Sequence, residues 1–186
     1  MTEVPGPKPE LVPAGEGEPS PFADPPAPPG PEPEPLADVE AEVEAEIEDL
    51  EEESPQVAIL MGSKSDLPAM ERAETELSER GISSETRVMS AHREPDVVAD
   101  YARNAKMRGI KVIIAGAGLS AALPGVVAAH TELPVIGVPL TSRTSVAGGL
   151  DALLSIAQMP PGVPVACVGI DNPRNAAVLA ARILAP

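Results

Sequence analysis

The chain has 186 residues, a formal net charge of -16, one cysteine and only two aromatic residues, Phe22 and Tyr101. A single cysteine excludes an internal disulfide framework and a multi-cysteine metal centre, and any core must be built from aliphatic side chains. The charge is uneven: 17 of the 29 acids lie in residues 1–54 beside one base, Lys8, leaving 12 acids and 12 bases in the other 132 residues, so no basic nucleic-acid-binding face is expected.

Residues 1–54 also hold 13 of the 24 prolines, and they bury too little apolar surface to offset the entropy of ordering. They read as a disordered acidic Pro/Glu-rich tail. Within it, Leu36, Val39, Val43, Ile47 and Leu50 recur at helical spacing, although Val39–Glu48 also alternates apolar with acidic. Ala and Glu favour helix while the crowded carboxylates repel, so a marginal helix is expected. Two roles stay open for it: docking on a basic partner or a neighbouring subunit, or plain solubilisation. The N-terminus lacks the basic start and apolar block of a signal peptide, and a cytoplasmic location is expected.

Residues 55–186 are long enough for one domain with a real core. Strands are predicted at Val57–Met61, Glu85–Met89, Val112–Ala115, Val135–Val138 and Val163–Val168. Helices are predicted at Leu67–Arg80, Pro95–Arg108, Ala121–Thr131, Leu150–Met159 and Asn172–Leu184. Ser65 or Asp66 before Pro68 marks a helix start, and Gly81 and Gly109 mark helix ends. Successive β-α units imply an α/β fold: a three-layer, doubly wound parallel sheet of flavodoxin-like kind. The uncharged stretch Val112–Ala129 is interrupted by Gly116, Gly118, Ser120, Pro124 and Gly125, so it reads as strand, loop and helix start and not as a membrane span. Cys167, inside an apolar run, reads as a packing residue.

Two polar loops follow predicted strands and open predicted helices, which places them in one crevice of a parallel sheet. In Gly62-Ser63-Lys64-Ser65-Asp66, hydroxyls and helix-start amides suit a phosphate, and Asp66 can accept from a ribose hydroxyl; ordinary N-capping is the alternative. In Ser90-Ala91-His92-Arg93-Glu94-Pro95, Ser90 and Arg93 offer a hydroxyl and a fixed positive fork, and His92 can exchange a proton near neutral pH. The other histidine, His130, stands at a predicted helix end, where a dipole contact or exposure accounts for it. A third loop, Gly116-Ala117-Gly118-Leu119-Ser120-Ala121, formally fits the dinucleotide pattern Gly-x-Gly-x-x-Gly/Ala. Val138-Pro139-Leu140 stands where the acidic ribose ligand would be, so no nicotinamide cofactor is expected. Its glycines suit close backbone approach to a flat ring or an anion.

Together these segments resemble one family, the N5-carboxyaminoimidazole ribonucleotide mutases of purine biosynthesis, relatives of the aminoimidazole ribonucleotide carboxylases. The resemblance runs from about Val57 to Leu184. It rests on Met61-Gly62-Ser63-Lys64-Ser65-Asp66, Ser90-Ala91-His92-Arg93, Ile114-Ala115-Gly116-Ala117-Gly118 and Leu123-Pro124-Gly125, in that order. Pro134-Val135-Ile136-Gly137-Val138-Pro139, Gln158-Met159-Pro160 and Asn175-Ala176-Ala177 extend it. The resemblance implies that Ser63, Asp66 and Arg93 bind the ribose phosphate part of the substrate. Ser65 and Ser90 assist at the phosphate, Gly116 and Gly118 line the wall, and His92 transfers the proton. It further implies a homo-octamer with no metal and no organic cofactor, with Gln158-Met159-Pro160 helping to close a neighbouring site.

Three departures from the family pattern stand out. Ala122 occupies the position of a second loop histidine, Glu94 stands where threonine is common, and the loop Thr141–Gly149 is about two residues longer and holds Arg143 as an alternative anion contact. The mutase reading is therefore accompanied by direct carboxylation of aminoimidazole ribonucleotide with CO2, by carboxylation of a related heteroaromatic mononucleotide, and by a catalytically silent nucleotide-binding paralogue. Leu123-Pro124-Gly125 favours the mutase, and intact Ser63, Asp66, His92 and Arg93 argue against the silent paralogue.

Overall fold

A computed structural model describes residues 54–185. The expected acidic tail and its helical stripe lie outside the described residues. The five strands are β1 (Val57–Met61), β2 (Ser84–Val88), β3 (Val112–Gly118), β4 (Val135–Leu140) and β5 (Ala166–Cys167). The helices are α1 (Leu67–Ser78), α2 (Pro95–Asn104), α3 (Ala122–Ala128), α4 (Leu150–Ala157) and α5 (Pro173–Leu184). All strand pairs are parallel, in the order β2-β1-β3-β4-β5. This is the doubly wound, flavodoxin-like order expected from the sequence.

Strand alternation sorts the core into two layers. Ala58, Leu60, Ile113, Ala115 and Val135 face α2, α3 and α4 through Val98, Ala102, Leu123, Val127 and Ile156. Val57, Ile59, Met61, Ile114 and Val138 face α1 and α5 through Met70, Ala73, Leu77, Ala176 and Ala180. Central strands buried on both faces must be apolar throughout, as β1 is. Each fully buried Leu, Ile or Met contributes about 1.5–3 kcal/mol; among the described residues no aromatic side chain is fully buried, and Tyr101 packs partly buried against the α2–α4 layer.

Two ion clusters fasten the periphery. The Glu76 carboxylate of α1 accepts from Arg80 at 2.6 Å and from Arg174 of α5, joining the two helices on one face. Those two guanidinium partners, Arg80 first, hold its carboxyl below the ordinary range. On edge strand β2, Glu85 accepts from the Tyr101 hydroxyl at 2.7 Å and from Arg108 and Arg87. Burial opposes its charge, but the Tyr101, Arg87 and Arg108 bonds outweigh burial and hold its carboxyl below 4.5. The sign follows directly: stability from this carboxylate is present above pH 4.5 and is lost as pH falls through the lower folded value. Chemical denaturation of Glu85→Gln is expected to show a deficit at pH 7 that shrinks as pH falls below 4.5; a pH-independent deficit would contradict the assignment.

Gly81 and Gly109 take the left-handed φ of a chain stop, 71° and 85°, but α1 already ends at Ser78 and Gly109 closes a 3-10 turn beyond α2. Other bounds shift. α2 ends at Asn104, whose amide bonds back to the Asp100 carbonyl, and the chain passes through a 3-10 turn at Lys106–Arg108. β3 extends three residues beyond its expected end, to Gly118. β5 shrinks to two residues, because Pro164 has no N–H to give to the ladder and the strand lies at the edge. Cys167 there is half-buried against the α2–α4 layer, and burial pushes its thiol up.

Candidate active site

The order β2-β1-β3 makes the chain wind outward in opposite directions from β1 and β3, which opens a crevice at their carboxyl ends. A cleft of about 230 Å³ lies there. The structure brings Ser63, Ser65, Asp66, Ser90, His92 and Gly118 together around it.

The first wall is the turn after β1. Ser63 is extended, and its Oγ accepts from the Ser65 hydroxyl at 2.9 Å and the Ser65 N–H at 3.3 Å. N-capping is thus part of its role, and it caps the short turn Lys64–Asp66 instead of α1. Asp66 precedes α1 without capping it, and Pro68 sits in the first turn where no N–H is needed. Burial pushes the Asp66 carboxyl above 3.8, against bonds from Ser65 and the Ser63 backbone. A partly desolvated carboxylate of this kind favours a ligand that donates hydrogen bonds, such as a sugar hydroxyl.

The second wall is the turn after β2. The Met89 N–H bonds to the Met61 carbonyl at 2.8 Å, and the Ser90 carbonyl accepts from Glu94 at 2.8 Å and Arg93 at 3.3 Å. This folds residues 90–94 into a tight turn that buries Ser90 and leaves the His92 ring exposed on the cleft, without a hydrogen-bond partner among the described residues. Arg93 does not line the cleft. Its Nη2 donates to the Gly62 carbonyl at 2.8 Å, strapping the two loops together. Four of its five N–H donors remain for a ligand beside the straps' edge.

The third wall follows β3. A methyl on Gly118 would stand 2.9 Å from the Leu140 carbonyl oxygen, so only glycine permits this approach of β3 to β4 beside the cleft. Gly116 behaves otherwise: it lies inside the strand, where an added methyl would meet Met70 Sδ at 2.5 Å. The missing side chain there makes room for Met70 of α1, and Gly116 is not on the cleft surface. Beyond Gly118, Leu119 and Ala121 adopt positive φ of 54° and 23°, strain that clusters at functional sites. Ala122 also lines the cleft.

Thr141 and Ser142 complete the lining and were not anticipated from the sequence. Asp171 accepts from both the N–H and the hydroxyl of Thr141, holding it at the end of β4. Their position was the available signal, since the carboxyl end of β4 opens onto the same edge. Arg143 is exposed and does not line the cleft. Met159 packs over Gly125, 3.1 Å from where a methyl would be. Among the described residues no group of three or more His, Cys, Asp or Glu side chains is arranged to hold a metal ion.

The profile of the AIR carboxylase family matches residues 56–186. The N5-carboxyaminoimidazole ribonucleotide mutase of Thermotoga maritima is 59% identical over 130 residues, covering 70% of this chain and 75% of that protein. The protein of the same name from Pyrococcus horikoshii is 56% identical over 135 residues, covering 73% of this chain and 75% of its own. The crystal structure of Treponema denticola PurE superposes with a TM-score of 0.61 at 37% identity, over 68% of this chain and 78% of the other. With the family profile matching residues 56–186 and this identity across the domain, the chain belongs to the AIR carboxylase family.

Proposed function

We propose that this protein converts N5-carboxyaminoimidazole ribonucleotide into 4-carboxy-5-aminoimidazole ribonucleotide, an isomerase step of purine biosynthesis. The observation that carries the reading is His92 standing exposed on a cleft that Ser63, Ser65, Asp66 and Ser90 also line, in a chain this similar to named mutases. Hydroxyls and turn amides at the ends of β1 and β2 receive the phosphate, with Arg93 at their edge, and Asp66 accepts from the ribose.

The chemistry then needs one proton-transfer group. The exocyclic C–N bond of the carbamate breaks, releasing CO2 and leaving the electron pair on nitrogen, which takes a proton from the His92 imidazolium. Ring carbon C4 attacks the retained CO2, and neutral His92 removes the C4 proton to restore aromaticity, so the imidazolium is regenerated. Confinement beside the Gly118 wall substitutes for tight binding of CO2 through effective concentration. The same reading makes residues 1–54 an appendage to a catalytic domain of residues 55–186. It also takes the enzyme to be a cytoplasmic homo-octamer, on the family resemblance; among the described residues no helix is long and apolar enough to cross a membrane.

Ala122 on the cleft lining favours one second reading, direct carboxylation of aminoimidazole ribonucleotide. Incubation with N5-carboxyaminoimidazole ribonucleotide, and separately with aminoimidazole ribonucleotide and bicarbonate at physiological concentration, separates the two. Rapid C4-carboxylated product is expected from the first mixture alone. Rapid product from the second alone would replace the mutase by the carboxylase, and none from either would overturn both.

A further inference from the structure

The opposite end of the sheet carries a charge pattern that the reaction does not use. Arg103–Lys111, running from the last turn of α2 into β3, contains four bases and no acid in nine residues. Arg108 is committed to Glu85 and lies over the Tyr101 ring, 5.2 Å from its centre. Arg103, Lys106 and Lys111 are exposed, and none forms an ion pair or side-chain hydrogen bond with the described residues. Arg103 and Lys106 line a hollow of about 460 Å³ together with His130, and Glu132 is the one acid on its rim. Met107, between them, is 80% exposed.

The chain enters the domain at this same place. Ser54 packs on Gly109, where a methyl would stand 2.9 Å from its Cβ, and the Lys111 N–H bonds to the Gln56 carbonyl at 2.8 Å. Just upstream, residues 36–53 contain ten acids and no base, with Leu36, Val39, Val43, Ile47 and Leu50 spaced among them. At no more than about 3.5 Å per residue, Glu48 to Glu53 stand within about 20 Å of Ser54 in any conformation. Tethering of this kind gives an effective concentration near the millimolar range for short linkers.

We propose that residues 36–53 dock on the basic turn of their own chain, pairing carboxylates with Arg103, Lys106 and Lys111 and laying apolar side chains on Met107. The occupant is this segment because complementary charge, an exposed apolar contact and the covalent entry point coincide at one surface. The placement also has a functional direction. β1 spans about 13 Å between its two ends at strand rise, and docking at its start keeps ten carboxylates away from the cleft at its finish.

The lysines make the test specific, since the chain has only Lys8, Lys64, Lys106 and Lys111. Zero-length carbodiimide cross-linking of the full chain at low salt, read by mass spectrometry, is expected to join Lys106 and Lys111 to carboxylates in residues 38–49. These links should exceed those to Lys64, exposed at the other end of β1, by several-fold and fall several-fold at about 0.5 M salt, where screening is short-ranged. The double variant Arg103→Glu, Lys106→Glu retains Lys111 and should lose most links to it while keeping the parent circular dichroism. Equal linking to Lys64, salt-insensitive links, an unchanged yield in the double variant, or products found only between chains would each overturn the proposal.

Discussion

His92→Asn is expected to lower kcat by about 10²–10⁴-fold, the usual worth of a positioned proton-transfer group, while nucleotide binding stays within a few-fold. The separation of the two effects follows from the geometry. The imidazole is exposed in a turn held by the backbone of Ser90, Arg93 and Glu94, so its replacement leaves the loop intact. The hydroxyls proposed to receive the phosphate sit on other residues, and an asparagine amide keeps a polar group in the cleft but cannot exchange a proton at neutral pH. Steady-state kinetics, with titration of the product nucleotide, provide the check. Retained turnover would remove His92 from the mechanism, and equal losses of turnover and binding would make it a binding residue.

Asp66→Ala should cost about 10–100-fold in kcat/KM, corresponding to loss of a hydrogen bond to a charged group of roughly 1.5–3 kcal/mol. The carboxylate makes no capping bond to α1, so the helix does not depend on it. Its one side-chain partner is the Ser65 hydroxyl at 3.4 Å, a long contact that leaves acceptor capacity for the ligand. Asp66→Asn retains a carbonyl acceptor and should fall between the parent and the alanine variant. A substrate analogue lacking the ribose hydroxyls should be insensitive to both substitutions. If the analogue loses as much as the substrate on Asp66→Ala, the carboxylate acts on loop structure and not on the sugar.

Much of this architecture is readable along the chain because central parallel strands have no polar face to disguise them. Val57–Met61 is apolar at every position, and its predicted and observed bounds coincide. The two polar turns after β1 and β2 were equally legible, since a charged or ring side chain between a strand end and a helix-initiating proline has little packing reason to be there. Gly116 shows where local reading stops. Its spacing from Gly118 resembles a loop motif, yet its glycine character answers to Met70, forty-six residues earlier in the chain, which only the folded structure brings close. Thr141 and Ser142 escaped notice for the opposite reason: two small hydroxyl residues after a strand carry no distinctive chemistry until Asp171 and the sheet order set them beside the cleft. β5 was overextended because an apolar run gives no warning that its strand is at an edge and interrupted by Pro164.

The aliphatic core has a practical optical consequence. The chain has no tryptophan and one tyrosine, so its own near-ultraviolet absorption is very weak and the turnover of an imidazole nucleotide can be followed at high enzyme concentration with little protein background. The single phenol is also a local probe, because its hydroxyl donates to Glu85 and its ring lies beneath Arg108. Tyrosine emission from this protein therefore reports on one edge of the molecule, where β2 meets α2, and a change in it on adding nucleotide would reveal motion far from the cleft without any introduced label.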